Sequence, residues 1–177
     1  NPFFALFAEG VASVTEEHGF GLLFISPLRG SLARALHRAT VDGVVALGLH
    51  ERHPELGSIR QAGLPVVVVD APAWSGHGAI LVDDEGGARQ AADHVLALGH
   101  RDVLVMGVEP AVGEADDGGV AGRRLAGYRA AFRSAGVALP PERIARPPAT
   151  IEGGEAAFVR AWSWGHRPTA VLCMSDA

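Results

Sequence analysis

The chain has 177 residues, 48% of them hydrophobic, and a formal net charge of −5, with all fifteen basic residues being Arg. That is too apolar for a disordered chain and enough for one large or two small folded units. Dispersed arginines in an acidic whole exclude a domain that grips a polyanion by itself, and no run approaches the ~18 to 20 apolar residues of a membrane span.

In chain order, 4–18 is patterned as a helix and 20–26 (FGLLFIS) as a strand. A helix at 31–40, a strand at 43–49 (GVVALGL), a helix at 54–62 and a strand at 65–70 (PVVVVD) follow. A short strand at 79–83 (AILVD) leads into a helix at 85–98 and a strand at 102–107 (DVLVMG). Helices at 123–135 and 154–164 precede a last strand at 169–174 (TAVLCM). Several of these strands are apolar at nearly every position, as strands covered on both faces are. Strand–helix alternation with short connections implies right-handed βαβ units, hence an α/β fold with doubly wound parallel sheets.

Several stretches could carry chemistry. His50 and His53 in HERH have an i, i+3 spacing, but Pro54 follows and the segment reads as a loop. Trp74 sits in a Pro/Gly loop after the carboxyl end of a strand, where doubly wound sheets bind ligands, and is a ligand-stacking candidate. VDDEGG at 82–87 places acids between a strand and a helix, where they cap the helix start; a hinge or ligand role is the alternative. His94 and His100 lie in a helix–stop–strand pattern in which Gly99 takes the left-handed cap; both are read as architecture, because further metal ligands at suitable spacing are missing. GEADDGG at 113–119 reads as a loop. The single cysteine, Cys173, is expected as a small buried core residue, and with no pair it fits a reducing compartment. There is no G-x-S-x-G turn, phosphate loop, H-E-x-x-H or CxxC. The expectation is a protein that is not an enzyme and uses no cofactor and no metal. Asn1 onward does not read as a secretory leader.

Six stretches in order, NPFFALFAEGVASVTEEHGFGLLF, VDGVVAL, GLPVVVVD, VDDEGGARQAADHVLALGHRDVLVMG, RLAGYRAAFRSAGV and RPTAVLCMSDA, span nearly the whole chain. Together they resemble the effector-binding domain of the lactose-repressor (LacI) family of bacterial transcription regulators. The resemblance implies a two-lobed, periplasmic-binding-protein-like fold, with residues 1–84 as the N-terminal lobe and 85–177 as part of the C-terminal lobe. It also implies that the helix-turn-helix head and the first strand lie before Asn1 and that further elements follow Ala177, so that the fold is incomplete at both ends here.

By the same resemblance, a small-molecule effector, a sugar or derivative, sits in the cleft between the lobes, and its contacts carry over onto Phe3, Phe4, Asp70, Arg124, Ser175 and Asp176. Carboxylates with an arginine suit vicinal hydroxyls, and an aromatic supports a sugar face. The implied protein is cytoplasmic and homodimeric, with operator DNA as partner through the absent head and no membrane association. The alternative is a periplasmic sugar-binding protein of a transport system, which shares fold and cleft. A nucleotide-binding oxidoreductase would need a glycine phosphate loop after its first strand, and none is present.

Overall fold

The computed structural model describes residues 2–25, 32–49, 51, 53, 56–72, 74–109, 119–163, 165 and 167–175. The chain forms two compact units, Asn1–Val44 with Pro54–Pro65, and Val45–His53 with Val66–Ala177.

In the first unit, α1 (Pro2–Glu17) carries Phe3, whose ring meets that of Phe4 edge-on at 5.6 Å and stacks on Phe7 at 6.3 Å. The helix ends where Gly19 takes a φ of +76°, and the amides of Gly19 and Phe20 turn back to the carbonyls of Glu16 and Thr15. Glycine enters this left-handed region without a Cβ clash. Two short helices, α2 (Leu32–Arg38) and α3 (Leu56–Gln61), pack together, and Ile59 is buried. The strand expected at 20–26 is not formed by residues 20–25, and Phe20, Leu22, Leu23 and Phe24 are exposed. A strand exists only through its ladder, and this apolar run has no neighbouring strand among the described residues.

The second unit holds two sheets. The first has the order β1–β2–β3, with β1 (Val44–Leu47) beginning at the last residue of the first unit, β2 (Val66–Val69) central and β3 (Gly78–Ile80) beside it. β2 and β3 run parallel, Val67 opposite Gly78 and Val69 opposite Ile80. The second sheet contains β4 (Val103–Met106), β5 (Ile144–Ala145) and β6 (Ala170–Cys173), in the order β5–β4–β6. Its pairs are also parallel, with Val105 opposite Ile144 and Val103 opposite Ala170. The two-residue β5, entered from a 3-10 turn at Pro141–Arg143, has no hydrophobic run to announce it and was not expected. Of the apolar strands only β4 approaches burial along its length; on β2, Val66 and Val68 are buried while Val67 is exposed.

Between the sheets in sequence lies α4 (Asp84–Ala97), which packs against α5 (Gly119–Ser134). Ala88, Ala92 and Leu96 of α4 join Leu125, Tyr128, Ala131 and Phe132 of α5 over Val103, Val105, Leu172 and Met174. α5 begins a turn earlier than its pattern suggested. So does α6 (Ile151–Trp162), where the Thr150 hydroxyl accepts from the Gly153 amide at 3.0 Å and caps the helix. The expected core position of Cys173 is not found: its side chain is exposed, because the strand alternation buries Leu172 and Met174 instead.

The LGHR segment works as the pattern suggested. α4 stops at Leu98, Gly99 has a φ of +92°, and Arg101 Nη1 donates to the carbonyls of Leu96 and His100. The ring of His100 meets Thr169 Oγ1 at 3.0 Å through Nδ1, and the Thr169 amide donates to the Asp102 carbonyl at 2.7 Å. His100 therefore ties the end of α4 to the segment entering β6. His94 is exposed on α4. Among the described residues no three His, Cys, Asp or Glu side chains gather as metal ligands would.

Candidate functional site

The carboxyl end of β2 delivers Asp70 with a φ of +59°, unusual for a residue with a side chain. Its amide still donates to the Ile80 carbonyl at 2.9 Å, so the twist occurs at the edge of the ladder. A non-glycine residue in this region stores strain, and such residues concentrate at ligand sites.

Two residues past the end of β3, the acidic VDDEGG run divides its labour. Asp83 is the cap of α4, its Oδ1 accepting from the Gly86 amide at 2.9 Å. Asp84 is buried at 5% exposure and serves two arginines. Its Oδ1 accepts from Arg124 Nε at 2.8 Å, while its Oδ2 accepts from Arg123 Nη2 at 2.7 Å and Nε at 3.1 Å. Its place in the first turn of α4 adds the favourable field of the helix start. Arg123 Nη2 also donates to Asp70 Oδ1 at 3.0 Å. Arg124 Nη1 donates to the Met174 carbonyl at the end of β6, and the hydroxyl of Tyr128 reaches the Cys173 carbonyl at 3.3 Å.

The result is one connected cluster, Asp70–Arg123–Asp84–Arg124, assembled from the end of β2, the start of α4 and the first turns of α5. Burial pushes the Asp70 carboxyl above its ordinary range; Arg123 and Arg124 oppose this and Asp84 adds to it. Burial likewise raises Tyr128, against the nearby Arg124 charge. A half-buried carboxylate beside fixed guanidinium groups offers oriented acceptors and donors, the equipment for holding hydroxyl groups.

Of the residues expected at the site, Asp70 and Arg124 are thus brought into one network. Ser175 is exposed and directly follows Met174, whose carbonyl takes Arg124. Phe3 and Phe4 lie on α1 of the other unit, 44% and 52% exposed. Asp176 lies outside the described residues, as do His50, Trp164 and 113–118. Trp74 is not available for stacking on a ligand. It is buried at 1% exposure, donates its indole N–H to the Leu49 carbonyl at 3.0 Å and meets His77 edge-on. A Trp in a loop finds burial wherever its one polar atom finds an acceptor. Arg123 was missed; its signal was the Arg-Arg doublet ahead of LAGY, and Asp84 was read only as part of a helix cap.

Parallel α/β sheets with a polar cluster at their strand ends mark a ligand-binding α/β domain. The whole chain, residues 1–177, matches the family of periplasmic binding proteins and the sugar binding domain of the LacI family, and it belongs to that family. Among curated relatives, an HTH-type transcriptional regulator of Mycolicibacterium smegmatis is 40% identical over 104 residues, 55% of this chain and 28% of its own length. The HTH-type transcriptional regulator CelR of Thermobifida fusca is 30% identical over 99% of this chain and 52% of its own. The ribose operon repressor of Haemophilus influenzae is 29% identical over 99% of this chain and 53% of its own. Among solved structures, a CelR–cellobiose complex superposes with a TM-score of 0.81 at 27% identity, covering 98% of this chain and 53% of that one. The chain thus spans about half or less of the length of these relatives. They are named as transcriptional regulators, not enzymes, and among the described residues no helix is long and apolar enough to cross a membrane.

Proposed function

We propose that this chain is the effector-sensing and dimerising part of a LacI-type transcriptional regulator. It takes a small molecule, a sugar or sugar derivative, at the Asp70–Arg124 cluster and thereby controls DNA binding by a helix-turn-helix head elsewhere in the protein. The observation that carries this reading is the preassembled cluster itself, in which a strained Asp70 and an anchored Arg124 are held in one network. The family resemblance adds Phe3, Phe4, Ser175 and Asp176 as further proposed contacts. The proposed lobes are 1–84 and 85–177: one sheet forms from residues before Asp84 and the other from residues after it, whereas the compact units divide elsewhere, with both sheets in the second. The protein acts in the cytoplasm as a homodimer and carries out no catalytic step. A transport receptor is not favoured, since the relatives are named as regulators.

The mechanism is allosteric. The ligand changes DNA affinity only to the extent that it binds two arrangements of the protein unequally. The test is calorimetric titration of the full-length protein with D-ribose, cellobiose and related sugars, repeated with Arg124→Ala. One charge-assisted hydrogen bond is worth ~1.5–3 kcal/mol, so the variant should bind ~10- to 100-fold more weakly while keeping its fold. Unchanged affinity in a folded Arg124→Ala protein removes Arg124 from the site, and no response to any sugar removes the sugar reading.

A further inference from the structure

Asp84 has no oxygen to spare for a ligand. It is buried, and each of its oxygens already accepts from a guanidinium. Arg123 is committed on two sides, to Asp84 Oδ2 and to Asp70 Oδ1. Arg124 is committed through Nε to Asp84 and through Nη1 to the Met174 carbonyl. What remains without a protein partner among the described residues is Asp70 Oδ2, an acceptor, and two donors, Arg123 Nη1 and Arg124 Nη2, on guanidiniums whose charge is already matched. The cluster holds two carboxylates and two guanidiniums, and every guanidinium in it is already matched by a carboxylate.

We propose that Arg123 is a positioning residue that makes this site selective for neutral, hydroxyl-rich ligands over phosphorylated or carboxylated ones. By holding Asp70 Oδ1 it fixes the direction of the carboxylate, and by neutralising Asp70 together with Asp84 it keeps the cluster balanced. Ligand hydroxyl groups, which both donate and accept, can serve Asp70 Oδ2 as donors and the free guanidinium N–H groups as acceptors. An anionic ligand finds no unmatched cation there and faces the Asp70 carboxylate, a like-charge approach that costs affinity in a partly desolvated site. Without Arg123 the cluster becomes net negative, and Asp70, pressed by burial and by Asp84, loses the nearest charge that favours its ionised form. The inference rests on the sugar-sensor reading above and adds to it the charge class of the ligand and a residue that sets it.

The experiment is calorimetric titration of the full-length protein with matched pairs, D-ribose against ribose 5-phosphate and cellobiose against cellobionate. The expected result is a neutral sugar preferred over its anionic counterpart by about tenfold or more, the scale of one well-placed polar interaction. Arg123→Gln should lose about tenfold for that neutral sugar, and Arg123→Lys, which keeps the charge without the two-sided fork, should recover part of it. A ligand-free readout separates positioning from general structural support: carbon-detected titration of the Asp70 carboxyl should show it moving upward in Arg123→Gln. A wild-type preference for the anionic member overturns the proposal without needing any variant. Neutral binding that survives Arg123→Gln, or an unmoved Asp70 titration, overturns the role of Arg123 while leaving the sugar sensor standing. A wild-type protein that binds neither class of sugar takes both readings down together.

Discussion

Gly127 of α5 faces the main chain of α4 so closely that a Cβ there would lie 2.2 Å from the Glu85 carbonyl oxygen and 2.9 Å from the Arg89 nitrogen. Both obstacles are backbone, so neither can swing aside. This contact sets how near the two helices approach, and the same helices carry Asp84 on one side and Arg123 and Arg124 on the other. Intrinsic helix propensity alone would favour Ala over Gly by ~1 kcal/mol, whereas overpacking at a rigid contact costs about 1–3 kcal/mol or more. With two backbone atoms in the way the cost lies at the upper end, so after the propensity gain Gly127→Ala should destabilise the protein by about 2 kcal/mol in urea unfolding, opposite in sign to the propensity effect. A stabilised variant would show that the helices part without cost.

Asp84 is the shared anchor of two arginines, and its loss should be felt more than that of any exposed carboxylate. Removing one member of a buried pair costs about 3–5 kcal/mol; here the guanidiniums keep some contact with water, so Asp84→Ala is expected at about 2–3 kcal/mol. Asp84→Asn keeps the size but not the charge and should fall between wild type and Ala. Equal unfolding midpoints for all three proteins would reduce the cluster to a surface feature.

The Asp70 carboxyl titrates above its ordinary value of 3.8 because burial outweighs the help of Arg123. The folded protein therefore holds the Asp70 proton more tightly than the unfolded chain does. The stability this contributes is complete below 3.8 and is lost as pH rises through the folded-state value. Asp70→Asn should be free of that loss, so the stability of wild type relative to the variant should fall across this window and level off above it. Denaturant unfolding at a series of pH values reads the difference directly; curves that stay parallel through the window would contradict it. Ligand binding should run the other way, weakening as acid protonates the acceptor.

His100 and Thr169 give a contrasting prediction. His100 Nδ1 and the Thr169 hydroxyl share a hydrogen bond at 3.0 Å, and the same hydroxyl lies 3.2 Å from the Asp102 carbonyl. His100→Ala removes one such bond and should cost ~1 kcal/mol in thermal unfolding. Metal content and sugar affinity should not change. Loss of a stoichiometric metal in elemental analysis would turn the histidine from a tie into a ligand.

The legible part of the fold was the part written in local pattern. Gly99 announced the end of α4, and the acids of VDDEGG announced its start, although the capping residue is Asp83 and not Asp84 as the pattern suggested. The strand at 20–26 failed because β-patterning states a preference, while a ladder needs a second strand beside it. Trp74 failed for a related reason: a loop position says nothing of whether an indole N–H will find the Leu49 carbonyl and bury the ring. At the site, Asp70 and Arg124 were identified by resemblance, but Arg123 went unnoticed because a second arginine in a doublet reads as a solvated helix residue until its partners are known.

By itself the sequence determined the class of the protein: alternating strands and helices, the order of six family segments, and the positions of turns and caps, all of which depend on residues close to one another in the chain. Only the tertiary structure decided that Asp70, Asp84, Arg123, Arg124 and the Met174 carbonyl share one network. Those groups lie up to about a hundred residues apart. Their meeting is set by parallel sheet register and by the close approach of α4 and α5 at Gly127, distances that local propensity does not encode.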